Sequence, residues 1–146
     1  MKGRSYMQAI IRYELVINEA LRSALMLDTP DEQIDEFIRF FGKHIGCDRI
    51  YIFEDNKKEH VTDNTYEWCR QGIESEIDYL QGVDMDIIDW WYKAFDKKEN
   101  VIIRDVETIK NEHVYTYNTL KIQNVKRLVV CPIRYKNERL NRYIGD

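Results

Sequence analysis

The sequence has little of what makes a flexible linker. Only six of the 146 residues are glycine and two are proline, and no segment is of low complexity. Linkers between domains are commonly rich in glycine, serine or proline, so this scarcity favours a single domain of ordinary size. A hydrophobic share of 44% with 33% charged residues is typical of a globular protein.

A surplus of positive charge is also missing. The chain has 22 Lys and Arg against 26 Asp and Glu, a net charge of −4, which disfavours a nucleic-acid partner or an anionic membrane surface. No apolar run is long enough to cross a bilayer, and the N-terminus lacks the apolar core of a signal peptide. We therefore expect a cytoplasmic segment without membrane insertion.

Catalytic and metal-binding motifs are absent as well. The three cysteines, Cys47, Cys69 and Cys131, are odd in number and widely spaced, which favours reduced thiols over a disulfide framework. The three histidines show no metal-ligand spacing among themselves or with the cysteines: His44, His60 and His113. No Gly-rich phosphate loop, Ser/His/Asp pattern or HExxH occurs. The sequence therefore predicts neither an enzyme nor a metal site.

What is present centres on a predicted β-hairpin. Arg49 to Phe53 is rich in β-branched and aromatic residues and is apolar at both parities, as in a strand covered on both faces. After a polar loop at residues 55–59, His60 to Cys69 is the second, antiparallel strand. Alternation along this strand puts Asn64, Tyr66 and Trp68 on one face, so this face carries the two large rings of the strand.

The N-terminal segment from Met7 to Leu27 has the periodicity of a helix. Its apolar stripe recurs at steps of three and four residues, with Glu14 interrupting: Met7, Ile10, Ile17, Leu21 and Ala24. Such a helix either pairs with a copy of itself and carries a signal along its axis, or packs on its own sheet; about three heptads do not separate the two. We assign residues 1–28 to this predicted signalling and dimerisation helix.

The following helix has strong boundary signals. Thr29 suits the N-cap, Pro30 the first helical position, and Glu32 the third residue of a capping box. Gly46 suits the left-handed position after the last turn.

The rest of the chain alternates helices and short strands. Asp84 or Asp86 can cap a helix that runs to about Asp96, with Trp90 on its flank and an inward stripe at Ile87/Ile88, Trp91 and Phe95. A short strand is predicted at Val101–Ile103, and a helix from Glu112 to Gln123 with three inward residues: Val114, Tyr117 and Leu120. A central strand is predicted at Leu128–Ile133. A turn at residues 135–139 then leads into a final strand from Leu140.

In this order, the elements resemble a GAF domain, a small-molecule sensing module of bacterial signalling proteins. The resemblance covers Thr29 to Asp146 and is carried by these segments: Gly46-Cys47-Asp48-Arg49-Ile50-Tyr51-Ile52-Phe53, Asn64-Thr65-Tyr66-Glu67-Trp68-Cys69, Trp90-Trp91, Val101-Ile102-Ile103-Arg104-Asp105-Val106, Val129-Val130-Cys131-Pro132-Ile133 and Tyr143-Ile144-Gly145. Such segments are typical of GAF domains upstream of diguanylate cyclase or histidine kinase output domains.

The resemblance implies an α+β, GAF/PAS-like fold, with a central antiparallel sheet, helices on both faces and the N-terminal helix in a dimer bundle. Residues 29–146 would be the GAF domain. Because the family continues into a closing helix and an output domain, the chain is expected to be a fragment of a longer signalling protein. The expected activity is non-catalytic regulation as a homodimer, with an unidentified small molecule as ligand.

Aromatic residues with a few polar partners predict the ligand site, since such pockets are mostly apolar. The candidate residues are Tyr51, Asn64, Tyr66, Trp68, Trp90, Trp91 and His113, with Thr65 as a further polar partner. The same rings can instead simply fill the core. Two alternatives from other classes remain open by resemblance: a thiol enzyme that reduces free methionine sulfoxide, and a photosensor holding a bilin through a cysteine thioether. Either needs an accessible thiol of low pKa, whereas Cys131 in its apolar strand is expected to be buried and inert.

Overall fold

The computed structural model describes residues 2–136 and 138–146. It contains four α-helices, α1 to α4: Lys2–Leu25, Pro30–Ile45, Asp89–Asp96 and Val114–Ile122. It also contains six strands, β1 to β6: Arg49–Asn56, Val61–Cys69, Val83–Asp84, Val101–Ile103, Leu128–Tyr135 and Glu138–Gly145. Three short 3₁₀ helices lie between them, at Ile77–Tyr79, Met85–Ile88 and Val106–Ile109.

The six strands form one sheet in the order β3-β2-β1-β6-β5-β4. β1 pairs antiparallel with β6, placing Phe53 opposite Tyr143, and β6 pairs antiparallel with β5. The two strands predicted to be central, β1 and β5, each have a neighbour on both sides. The predicted α+β class with an antiparallel sheet is therefore confirmed.

The boundaries of α2 follow from the predicted caps. The Thr29 side chain accepts a hydrogen bond from Glu32 N at 3.3 Å, and the Glu32 carboxylate accepts one from Thr29 N at 3.2 Å, so the capping box is complete. At the other end Gly46 adopts φ 78°, a left-handed conformation that glycine tolerates without a Cβ clash. Both predictions are confirmed.

Contacts divide the described chain into two compact units. The first holds residues up to Ile50 together with Tyr66–Glu74, and the second holds Tyr51–Thr65 together with the residues from Ser75 onward. This division passes within β1 and β2. The predicted partition into a dimerisation segment at 1–28 and a domain at 29–146 stays a prediction.

In the first unit α1 packs on α2 through small side chains. Ala20 and Ala24 are 0% and 5% exposed, and Ser23 Oγ donates a hydrogen bond to Glu36 Oε1 at 2.5 Å. α1 begins at Lys2, five residues before the predicted start. Apart from Ala24, the predicted stripe is exposed at Met7, Ile10, Ile17 and Leu21. The apolar face of α1 that flanks these alanines thus lies open in the single chain.

The second unit holds the main hydrophobic core. Its fully enclosed side chains include Phe95 and Val130, each 0% exposed, and Tyr143 at 1%. The inward stripe predicted for α3 is confirmed: Ile88, Trp91 and Phe95 are buried, and Trp90 lies half-buried on the flank.

Three details of the prediction are wrong. In α4, Val114 is 48% exposed, and Thr116 is the buried residue, at 1%, because its hydroxyl has a partner in the chain before α3. Asp55, placed in the polar loop, lies in β1 and is buried, since Tyr92 donates a hydrogen bond to its carboxylate. Cys131 is half-buried rather than buried, because it shares the β5 face of Val129, which is 42% exposed.

Candidate functional site

A cavity of about 40 Å³ lies within the second unit. Residues from β1, β2, β3 and β6 contribute to its lining, together with residues from the chain around α3 and from α4. The lining residues are Tyr51, Phe53, Thr62, Leu80, Val83, Ile87, Ile88, Trp91, Thr116, Thr119, Leu120, Gln123 and Tyr143. Its volume has room for about three water molecules and is below the roughly 300 Å³ of common ligand pockets.

Stacked and edge-on rings build the aromatic part of the lining. The rings of Phe53 and Tyr143 lie parallel, with centroids 5.2 Å apart and 3° between their planes, as their opposed positions on β1 and β6 allow. Trp91 meets Tyr143 edge-on at 6.2 Å and 89°. Such offset and T-shaped contacts are the favoured arrangements of aromatic pairs. They fix the position of Trp91 from α3 against the sheet.

Gly145 makes room for the Tyr51 ring. A Cβ at position 145 would overlap the ring and would lie 2.9 Å from Tyr51 Cζ. A side chain there would therefore displace Tyr51, which is 4% exposed and lines the cavity. Gly145 belongs to the cavity's support although it does not line it.

Two hydroxyl groups meet at the cavity wall. Thr62 Oγ1 and Tyr143 OH lie 3.3 Å apart, and burial raises the pKa of Tyr143 well above its usual value. Beside them Tyr92 OH donates to Asp55 Oδ1 at 2.7 Å. Burial, and then the hydrogen bond to Asp55, raise the pKa of Tyr92, so both phenols stay protonated at neutral pH.

Thr116 connects α4 to the chain before and within α3. Its hydroxyl donates to Ile87 O at 2.5 Å and accepts from Trp90 Nε1 at 3.0 Å. The Trp90 indole also stacks on His113, with ring centroids 4.1 Å apart. Trp90 and His113 thus stack on each other and are not part of the cavity lining.

Of the seven residues predicted for the site, Tyr51 and Trp91 line the cavity. Asn64 is 2% exposed, and its carbonyl accepts a hydrogen bond from Gln81 Nε2 at 2.7 Å. Tyr66 and Trp68 belong to the first unit, where Tyr66 OH donates to Asp31 and Trp68 lies against Gly42. The further polar candidate, Thr65, is exposed.

The lining residues that the sequence did not single out are mainly Thr62, Thr116 and Tyr143. Thr62 lies two residues before Asn64 on β2, so the alternation of the strand could have predicted that both lie on the same face. Tyr143 was quoted only as part of the final strand, and nothing local marks Thr116 as buried.

An exposed cluster of possible metal ligands lies at the start of β2 and near β3. His60 Nε2 is 2.8 Å from Asp86 Oδ1, and one donor atom from each of His60, Asp84 and Asp86 lies within 4.8 Å of the others. The hydrogen bond to Asp86 raises the pKa of His60. Asp84 also accepts from Asp86 N at 2.9 Å, which caps the 3₁₀ helix Met85–Ile88. The carboxylates thus have a structural role. The spacing of the sequence did not reveal the cluster, because His60 precedes Asp84 and Asp86 by 24 and 26 residues.

A groove of about 430 Å³ opens in the first unit between α1 and α2. Its lining is apolar with a polar border: Gln8, Ile11, Arg12, Leu15, Val16, Glu19, Phe40 and His44. Ile11 and Leu15 are 51% and 59% exposed, so the groove continues into the open apolar face of α1.

No helix among residues 2–136 and 138–146 combines the length and apolarity that crossing a membrane requires.

Comparison with known proteins identifies the fold. No family model matches the chain, and no curated protein does. Among solved structures, the phycocyanobilin-bound GAF domain from a cyanobacterial phytochrome is similar at a TM-score of 0.68 with 18% identity, over 90% of this chain and 78% of that one. The GAF domain from Acinetobacter phosphoenolpyruvate-protein phosphotransferase gives 0.63 with 7% identity, over 91% and 75%. A Staphylococcus aureus NreA protein, mutated in its nitrate-binding site, gives 0.59 with 15% identity, over 79% and 82%.

These similarities, at 7–18% identity, show that the chain has an α+β fold shared with the structures named above. Its fold is that of GAF domains.

Proposed function

We propose that this chain is a non-catalytic GAF regulatory domain of a bacterial, cytoplasmic signal-transduction protein, which binds a small molecule and transmits a signal through α1 in a homodimer. The observation that carries the proposal is the cavity in the second unit, lined by rings and hydroxyls. A ligand that prefers one arrangement of the dimer helices shifts the population of output states by its differential affinity for them. The output domain would be an enzyme such as a diguanylate cyclase or a histidine kinase, C-terminal to this chain.

Native mass spectrometry of the protein purified from its own host tests the ligand. A retained molecule of constant mass, released on unfolding, is expected. Adding that molecule back should raise the melting temperature in a concentration-dependent way, because it binds the folded state and not the unfolded chain. If the protein retains nothing and no extract from the host raises the melting temperature, the ligand part of the proposal is wrong.

The open apolar face of α1 supports the dimer. Contiguous exposed apolar surface on a folded chain commonly marks an interaction site, and a second copy offers a matching stripe. Sedimentation at tens of micromolar should show a dimer that Ile17→Lys dissociates. Ser5→Lys adds the same charge to the polar part of α1 and should leave the dimer intact. A monomeric unmodified chain would contradict this part.

The thiol-based alternatives find less support in the geometry. Burial raises the pKa of both Cys69 and Cys131, whereas a reactive thiol needs a low pKa. Among the described residues that line the cavity there is no cysteine, and a bilin is far larger than the cavity volume. Methionine sulfoxide turnover by the unmodified chain would favour the enzyme, and visible absorbance after incubation with a bilin would favour the photosensor.

A further inference from the structure

The indole N–H of Trp91 is a buried hydrogen-bond donor without an acceptor. Trp91 is 4% exposed and lines the cavity. Among residues 2–136 and 138–146, no group accepts a hydrogen bond from its Nε1. Most buried polar side-chain atoms in folded proteins have a partner, and one left without a partner destabilises the fold. Since Trp91 belongs to the cavity wall, a bound molecule that offers an acceptor to this donor would gain more than one that does not.

The neighbouring indole shows that the chain can satisfy such a group. Trp90, the adjacent residue, donates its Nε1–H to Thr116 Oγ1 at 3.0 Å. The Thr116 hydroxyl in turn donates its one proton to Ile87 O, so it has no further proton to donate. Of these two adjacent tryptophans, Trp91, which lines the cavity, is the one whose indole N–H lacks a protein partner.

The charge of the lining restricts the ligand further. The described lining contains no Asp, Glu, Lys, Arg or His side chain. A charged molecule would lose its hydration there with no opposite charge to compensate, which is strongly unfavourable. Its polar groups are hydroxyls, the Gln123 amide and the Trp91 indole N–H, all of which pair with neutral hydrogen-bonding groups.

The shape of the lining favours a flat ring. Tyr51, Phe53, Trp91 and Tyr143 contribute ring faces and edges, and the present volume is about 40 Å³. An apolar cavity of about 150 Å³ accepts benzene, so a single ring requires the surrounding side chains to move outward until the cavity is several times its present volume. Larger polycyclic molecules would require the core itself to rearrange.

From these observations we infer that the cavity takes a small, uncharged, single-ring compound with a hydrogen-bond acceptor at its edge, and that Trp91 Nε1–H donates to that acceptor. The inference rests on the proposed sensory function and specifies its ligand class. Trp91 is then the residue that distinguishes an acceptor-bearing ring from a purely hydrocarbon one.

Pyridine and benzene test the donor directly, since they share a shape and differ in one acceptor nitrogen. With ¹⁵N-labelled tryptophan, the three indole N–H signals of the chain are observed while each probe is added. Pyridine at pH 8 should move the Trp91 signal strongly downfield, benzene should move it little, and the Trp90 signal should change little with either. This measurement uses the unmodified protein, so it holds even if a variant fails to fold.

A pair of variants then measures the contribution of the donor to selectivity. Trp91→Phe should lower the ratio of pyridine affinity to benzene affinity by about fivefold to tenfold, the value of one hydrogen bond. Trp90→Phe should leave this ratio unchanged, because that indole already has a partner. If the ratio is the same in all three proteins, or if pyridine binds without moving the Trp91 signal, the assigned role of Trp91 is wrong.

Benzoate and the methyl signals of the lining distinguish a failure of the inferred ligand class from a failure of the proposed sensory function. Tighter binding of benzoate than of pyridine, seen at the methyls of Leu80, Val83 and Leu120, overturns the uncharged class and leaves the cavity as a ligand site. If none of the three probes moves these methyl signals, the ligand class is wrong. The proposed sensory function then fails only if the host-purified protein also retains no molecule.

Discussion

Gly42 of α2 lies directly beneath the indole ring of Trp68. A Cβ at position 42 would overlap that ring, 2.5 Å from Trp68 Cζ3, and would also lie 3.1 Å from Ile50 Cδ1. The close approach of helix and ring therefore depends on the missing side chain. It also explains why a glycine is buried within a helix, where its backbone freedom ordinarily destabilises the fold.

Gly42→Ala should lower the free energy of unfolding by about 1–3 kcal/mol, because overpacking outweighs the better helix propensity of alanine. Urea denaturation followed by circular dichroism measures the change. Gly3→Ala is the matched control, since a Cβ at Gly3 in α1 meets nothing within 4 Å. It should be neutral or slightly stabilising; equal effects of the two substitutions would contradict the packing argument.

The carboxylate of Glu36 should stabilise the first unit in a pH-dependent way. Hydrogen bonds from Arg39, then from Ser23, lower the pKa of Glu36 from 4.5 to about 2. Because the pKa is depressed in the folded state, the stabilisation is fully present above about pH 4.5 and is lost as the pH falls through about 2. Glu36→Gln should therefore cost about 1 kcal/mol at pH 7, a modest value for a partly solvated pair.

The measurement is the difference in unfolding free energy between the Glu36→Gln variant and the unmodified chain at several pH values. This difference should shrink steadily between pH 5 and pH 2. Glu112→Gln, at an exposed position, serves as the control and should show no such trend. A constant difference across the range would mean that the carboxylate charge is not what stabilises this contact.

Removing the Tyr92 hydroxyl should destabilise the second unit. Tyr92→Phe takes away the hydrogen bond to the buried carboxylate of Asp55, and a bond to a charged acceptor is worth about 1.5–3 kcal/mol. Urea denaturation at pH 7 measures the loss. Tyr115→Phe, at a side chain that is 76% exposed, should change the stability by less than about 0.5 kcal/mol. Similar values for the two variants would show that Asp55 does not depend on this donor.

The thiols should react slowly in the folded protein. Burial raises the pKa of Cys69 and Cys131, so little thiolate is present at neutral pH. With Cys47→Ser, which removes the third thiol, reaction with a disulfide reagent at pH 7.5 should be at least about tenfold slower than after unfolding in urea. A rate in the folded protein close to the unfolded rate would restore the thiol enzyme as a candidate.

Local signals explain what the sequence could predict. The start and end of α2 depend on Thr29, Glu32 and Gly46, whose effects act within four residues along the chain. The central positions of β1 and β5 follow from apolar residues at both parities, a pattern that edge strands do not need. These features need no knowledge of distant partners.

Features that depend on distant partners could not be predicted. Asp55 is buried because Tyr92, 37 residues away, donates to it, so a polar run that looked like a loop continues as a strand. Thr116 is buried rather than Val114 because its hydroxyl meets Ile87 O and the Trp90 indole. The parity of a strand says which residues share a face, but not which element covers them. Tyr51 and Trp91 were therefore predicted together with Tyr66 and Trp68, which lie in the other unit.

The double hydrogen bonding of Thr116 has a kinetic consequence. Thr116 lines the cavity, and its one hydroxyl holds α4 to Ile87 and to Trp90. A molecule that widens the cavity on this side would have to stretch those bonds, so under the proposed ligand binding we expect the Thr116 hydroxyl to slow both entry and exit. Thr116→Val, which removes the hydroxyl, should therefore speed entry and exit together in NMR relaxation measurements and change the equilibrium affinity less than either rate. Unchanged rates would contradict this role.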